Sequence, residues 1–171
     1  MEELHQYRRN CEAYGWRMPN IGQAHSGPFL LAVMLQDPAG QYTAGSGVLV
    51  TNEVSFTNDD PTAAVLRRSA EAAGLPLANI LPLNTLPAYN MRPNIENKRL
   101  GAAANEALVD QLGITHILCC GTHALDAYAR FWRKEGRTMF HTAHPSRRGL
   151  LSLPNREADF QAAFCRAAYG L

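Results

Sequence analysis

One continuous apolar stretch constrains the fold of this chain more than any other feature. Residues 29–35, Phe-Leu-Leu-Ala-Val-Met-Leu, do not alternate between apolar and polar side chains, which is typical of a strand covered on both faces of a sheet. The run ends abruptly at Gln36, Asp37 and Pro38, with Gly40 close behind. Ligand sites of open α/β sheets lie outside the carboxyl ends of the strands, where Asp37 is expected. The alternative is that Asp37 only opens a turn, because Asp-Pro is a common turn opener.

The rest of the chain alternates between segments typical of strands and of helices. A second buried strand is predicted at 79–85, and a third and a fourth strand are predicted at 115–120 and 138–143. Helices are predicted at 2–14, 61–73, 95–112, 122–134 and 155–169, with Asp60 as the cap and Pro61 as the first residue of the second. This alternation favours parallel strands joined by helical crossovers. We therefore predict an α/β three-layer sandwich, with helices flanking a central, mostly parallel four-stranded sheet, as a single domain over residues 1–171.

Composition narrows the classes of function. The formal net charge is only +1, so a surface that binds nucleic acid must be local. The cysteines lack zinc-type spacing, and Cys119 and Cys120 lie in an apolar run, as buried reduced thiols of cytosolic proteins do. The N-terminal segment has no apolar signal region, and no stretch approaches the roughly 20 apolar residues of a membrane span. We therefore expect a cytoplasmic monomer with no metal, no cofactor and no membrane partner.

Familiar nucleotide-binding and hydrolase motifs are missing from the sequence. There is no GxxxxGK[ST] or GxSxG motif, and Gly-Ser-Gly at 45–47 lacks the rest of a dinucleotide fingerprint. Instead, three predicted strand ends carry Asp37, Asn84 and His144, which share one rim if the sheet is parallel. A carboxylate can act as a base, an amide reads a donor–acceptor edge, and a histidine can donate to an oxygen that gains negative charge. Together, these three side chains are suited to binding a planar heterocyclic ligand.

The motifs at these strand ends resemble, in the same order, those of the uracil-DNA glycosylase superfamily. They are Gln36-Asp37-Pro38, Leu83-Asn84-Thr85, the strand end Leu118-Cys-Cys-Gly121, and His144-Pro145-Ser146. The resemblance covers about residues 29 to 150. It implies a monofunctional DNA glycosylase, which flips an abnormal pyrimidine nucleotide out of DNA and hydrolyses its N-glycosidic bond to leave an abasic site.

The resemblance also implies a role for each matched residue. Asp37 matches the aspartate that activates water and stabilises the cationic sugar, and His144 matches the histidine that hydrogen-bonds O2 of the departing base. Asn84 matches the amide that reads the base edge, and Gln36 lines the same pocket. Ser146 matches the serine that grips a backbone phosphate.

Several positions depart from the best-known members of the superfamily. Ala39 stands where uracil-excising members carry a tyrosine that closes the pocket against a C5 substituent, although Tyr42 can refill that gap. We therefore expect a C5-substituted pyrimidine, such as hydroxymethylcytosine or its glucosylated form, and a role in antiviral defence against phage DNA. Arg147 and Arg148 replace the family's leucine wedge and are predicted to bind DNA. The alternative is that both are ordinary charged surface residues in contact with solvent. Phe56 is a candidate to stack on the flipped base, with an ordinary core position as the alternative.

Other functions remain open at this point. One is excision of plain uracil in base-excision DNA repair, and another is non-catalytic binding of modified or damaged DNA. A flavodoxin-like domain with an unrelated small ligand is a further alternative.

Overall fold

The computed structural model describes residues 2–36, 51–89 and 91–171. The strands are β1 (Asn20–Ile21), β2 (Leu31–Leu35), β3 (Glu53–Val54), β4 (Ile80–Asn84), β5 (His116–Cys120) and β6 (Thr138–Thr142). The helices are α1 (Glu2–Ala13), α2 (Pro61–Ala72), α3 (Ile95–Gln111), α4 (Thr122–Phe131), α5 (Arg147–Leu150) and α6 (Glu157–Tyr169), and a 3₁₀ turn at Leu77–Asn79 leads into β4.

The central sheet has four parallel strands in the order β4-β2-β5-β6. Leu35 lies opposite Asn84 in the β2–β4 pair, and Cys120 lies opposite Thr142 in the β5–β6 pair. All four strands of this sheet were predicted from the sequence. The α/β class and the mostly parallel four-stranded sheet are therefore confirmed.

Helices cover both faces of the sheet, which produces the predicted three layers. One face packs against α3 and α4, with Leu108 and Tyr128 among the buried contacts. The other face packs against α2 and α6 through side chains such as Leu66 and Phe164. Residues Leu31 to Met34 of β2 are all buried, with 0% exposure. Burial on both faces explains why their sequence shows no alternation.

Helix ends follow local capping chemistry. The Asp60 side chain accepts a hydrogen bond from the Ala63 amide at 2.9 Å, and Pro61 begins α2 as predicted. Helix α4 ends at Phe131, three residues earlier than predicted. The reason is that Trp132 takes an extended backbone conformation and buries its side chain in the core.

Three short elements of the structure were not predicted from the sequence. β1 and β3 form a small parallel sheet, and α5 is a short helix that the sequence did not predict.

Cys119 and Cys120 are buried free thiols, and burial raises the pKa of Cys119 to about 12. Within the described ranges, no helix combines the length and the apolar character needed to cross a bilayer.

Candidate functional site

The carboxyl ends of the four parallel strands meet at one rim of the sheet. Asn84 is the last residue of β4, and His144 follows the end of β6 by two residues. Gln36 directly follows β2, which lies next to β4 in the sheet. Asp37, Ala39 and Tyr42 lie outside the described residues. Of the predicted strand-end residues, the structure thus brings Gln36, Asn84 and His144 to the same rim.

Hydrogen bonding between β2 and β4 continues beyond the strands themselves. The Thr85 amide and hydroxyl both donate to the Leu35 carbonyl, at 2.9 and 2.8 Å. The Leu86 amide donates to the Gln36 carbonyl at 2.9 Å. These bonds fix the backbone of Gln36, which is half-buried, at the point where the chain continues to Asp37.

Asn84 is held rigidly through its backbone while its side chain stays available. Its carbonyl accepts a hydrogen bond from Asn105 Nδ2 at 2.8 Å, and Asn105 Oδ1 in turn accepts one from the Tyr7 hydroxyl at 2.7 Å. Asn84 is 5% exposed, yet its side-chain amide has no hydrogen bond within the described part of the chain. The amide atoms keep some contact with solvent, since Trp132 Nε1 is the one fully buried side-chain nitrogen or oxygen without a partner among the described residues. The Asn84 amide is therefore open to a polar ligand.

His144 is arranged to donate a hydrogen bond from one ring nitrogen. Its Nδ1 accepts from the Ser146 amide at 3.2 Å, so the proton of the neutral ring is on Nε2. Burial lowers the pKa of His144 below the usual histidine value, which favours the neutral ring. The side chain therefore offers Nε2–H, rather than a full positive charge, to an acceptor in the site.

Two glycines that the sequence analysis did not single out as site residues pack directly against His144. At Gly149, a Cβ atom would lie 2.1 Å from the His144 carbonyl oxygen. At Gly121, where φ is +90°, a Cβ atom would lie 3.2 Å from the His144 Cβ. The Gly121 amide also donates to the Thr142 carbonyl at 2.8 Å, which ties the end of β5 to the end of β6. The sequence signal was a glycine directly after a buried strand and another three residues after Ser146.

The predicted DNA-binding residues directly follow His144 and Pro145. The Ser146 hydroxyl caps α5 by accepting from the Gly149 amide at 3.2 Å, and its own hydrogen remains free to donate to another group. Arg147 and Arg148 are exposed, and neither side chain makes a hydrogen bond or ion pair with any described residue. A hydroxyl and two guanidinium groups without a partner among the described residues thus follow the histidine closely in the chain.

Phe56 does not join this rim. It is 1% exposed, and its ring centroid lies 5.0 Å from that of His25. His25 Nδ1 is 2.9 Å from the carbonyl oxygen of Ile80, the first residue of β4, whereas the rim is at Asn84, roughly 13 Å along the strand. The structure thus corrects the base-stacking prediction for Phe56 in favour of the core alternative, because the ring is enclosed near the opposite end of the sheet.

No protein-family model matches the sequence, and no curated protein matches it significantly. Among the described residues, no His, Cys, Asp or Glu side chains are grouped closely enough to hold a metal ion.

Proposed function

We propose that this protein is a monofunctional DNA glycosylase that hydrolyses the N-glycosidic bond of a flipped pyrimidine nucleotide. The observation that carries the proposal is the state of the His144 ring. Its Nδ1 is occupied by the Ser146 amide at 3.2 Å, so Nε2–H points away as a neutral donor. A pyrimidine that leaves as an anion gains negative charge on O2, and a fixed donor at that oxygen stabilises the transition state.

The proposed reaction needs only water and side chains of the protein. Water attacks C1′ of the deoxyribose while the C1′–N1 bond breaks and its electron pair leaves with the base. Asp37, directly after Gln36, takes a proton from the water and stabilises the cationic sugar. His144 donates from Nε2 to O2 of the base anion, which then takes a proton from solvent. The products are a free base and an abasic site.

Asn84 supplies the recognition of the base in this proposal. Its amide offers both donors and an acceptor, so it can pair with N3 and the exocyclic group of either cytosine or uracil, depending on its orientation. Ala39 favours a substituted C5 atom, so we propose a hydroxymethylated or glucosylated cytosine as substrate and defence against phage DNA as the role. Uracil excision in DNA repair is the second candidate, because the same amide fits uracil and Tyr42 can close the pocket. In either case the protein acts as a cytoplasmic monomer on DNA.

A set of variants tests the chemistry. Purified full-length protein is incubated with modified DNA, and alkali-sensitive abasic sites are counted over time. His144→Ala is expected to lower the rate by about 10²–10³-fold, as loss of an oxyanion donor does. Asp37→Asn should lower the rate by about 10²–10⁴-fold, as loss of an acid–base group does.

His5→Ala is the matched control, since His5 is an exposed histidine on α1 and should leave the rate unchanged. If wild type and Asp37→Asn are both inert while DNA binding persists, the protein is a binder of modified or damaged DNA and the enzymatic proposal is refuted.

A further inference from the structure

Arginines that lack a partner among the described residues are concentrated in one part of the chain. Many basic side chains are neutralised by acids, among them Arg9 by Glu2 and Arg68 by Glu157. The arginines whose guanidinium groups make neither a hydrogen bond nor an ion pair with any described residue are Arg92, Arg147, Arg148, Arg156 and Arg166. All but Arg92 lie between residues 147 and 166, in the segment that directly follows the His144 turn. With a net charge of only +1 for the whole chain, this is a local concentration of positive charge.

These four arginines follow His144 in the chain. Arg147 and Arg148 lie on α5, and Arg156 directly precedes α6. Arg166 is ten residues further along, nearly three helical turns or about 15 Å from Arg156. Of the acids at the start of α6, Glu157 binds Arg68 at 2.7 Å, and Asp159 accepts from the Asn155 amide at 2.9 Å and from its side chain at 3.1 Å. These two hydrogen bonds and the charge of Arg166 lower the pKa of Asp159, so Arg166 is partly balanced by this carboxylate although the two form no ion pair.

A cavity of about 480 Å³ is lined in part by this segment. His144 and Arg166 both line it, as do the hydroxyl-bearing residues Thr122, Thr142 and Ser152. Thr142 is 5% exposed, and its hydroxyl has no hydrogen-bond partner among the described residues. The Asp159 carboxylate is the acidic member of the lining. Guanidinium and hydroxyl groups are the usual donors to backbone phosphates.

We propose that Arg156 and Arg166 bind the phosphodiester backbone of the DNA strand where it leaves the His144 site, with the strand running over the cavity between α6 and the end of β6. This assignment rests on the proposed function, because it places DNA at His144. A duplex strand carries one phosphate per 3.4 Å of helix axis, so the distance from Arg156 to Arg166 corresponds to about four phosphates. The surface recognises phosphate rather than sequence, so it adds affinity equally for any base.

The test is the salt dependence of DNA binding. Fluorescence anisotropy gives the affinity for an unmodified duplex of random sequence at several salt concentrations. Each lost phosphate contact reduces the slope of log affinity against log salt by about 0.9. We expect that reduction for Arg166→Ala and for Arg156→Gly. Arg9→Ala, which removes the same charge from α1, is the control and should leave the slope unchanged.

Arg156→Gly also separates binding from folding. Arg156 has φ of +50°, in the left-handed region that a glycine adopts without strain. We therefore expect this variant to melt no lower than wild type while it binds DNA more weakly. Slopes equal to the wild-type slope in both Arg156→Gly and Arg166→Ala would refute the proposed binding of DNA phosphates by these two arginines. Tighter binding of RNA of the same sequence would refute it as well.

The outcome for this surface is separable from the outcome for the glycosylase proposal. A slope that depends on Arg156 and Arg166 in a protein that releases no base would support the surface and refute the enzyme. Base release combined with unchanged slopes would support the enzyme and refute the surface.

Discussion

Replacing Gly149 by alanine tests whether the close packing around His144 positions the ring for catalysis. The added Cβ would lie 2.1 Å from the His144 carbonyl oxygen and 2.9 Å from its carbonyl carbon. Because a Cβ atom does not approach a backbone atom more closely than 3.0 Å, the backbones of Gly149 and His144 must separate by about 1 Å. A displacement of that size at a catalytic group costs about 10²-fold in rate. Overpacking of this kind costs about 1–3 kcal/mol of stability.

The assay compares kcat/KM for abasic-site formation with thermal unfolding of the same samples. Gly113→Ala is the control, because Gly113 has φ of +66° and nothing within 4 Å of an added Cβ. That substitution strains the backbone by about 1–2 kcal/mol without touching the rim, so stability should fall and activity should persist. Wild-type activity in Gly149→Ala, or an equal loss in Gly113→Ala, would refute the positioning argument.

Two further predictions concern stability. His25 Nδ1 lies 2.9 Å from the carbonyl oxygens of Leu77 and Ile80, and its Nε2 accepts from the Phe56 amide at 3.1 Å. Burial lowers the pKa of His25, so the unfolded chain takes up a proton more readily than the folded protein does. The melting temperature should therefore stay constant above pH 6.5 and fall as the pH drops below that value. The fall should be less steep in His25→Gln, which removes the titrating group. Asn105→Ala leaves the Asn84 carbonyl without its side-chain donor and should cost about 1–3 kcal/mol, or about 2–4 °C per kcal/mol in a melting experiment. An unchanged melting temperature in Asn105→Ala would contradict that account.

Three strands of the sheet were predictable because β2, β4 and β5 are short, mostly apolar runs between clear breakers, whereas β6 is an edge strand of mixed polarity whose side chains are mostly not buried. Residues 29–35 show no alternation, and the structure buries that strand on both faces. Asp60 and Pro61 marked the start of α2 through purely local chemistry. Parallel strands share a direction, so the common rim of Asn84 and His144 followed from the order of elements alone.

What the sequence could not predict depends on contacts between distant segments. Phe56 lies in a region with few periodic signals, so its apolar character did not indicate which end of the sheet it packs against. The support of His144 by Gly121 and Gly149 comes from close backbone approach, which no residue pattern encodes by itself. The tautomer of His144 likewise depends on the Ser146 amide folding back onto Nδ1. The early end of α4 reflects burial of Trp132.

The most direct test of the central proposal is to identify the base that is released. The purified protein is incubated with DNA carrying uracil, thymine mispairs, 5-hydroxymethylcytosine or its glucosylated form, and free bases and abasic sites are both quantified. We predict equal amounts of released base and abasic sites from DNA with a bulky C5 group, and loss of both in Asp37→Asn and in Ala39→Tyr. Release of uracil alone would replace the C5-substituted substrate by uracil, and no release from any of these DNAs while binding persists would contradict the glycosylase account.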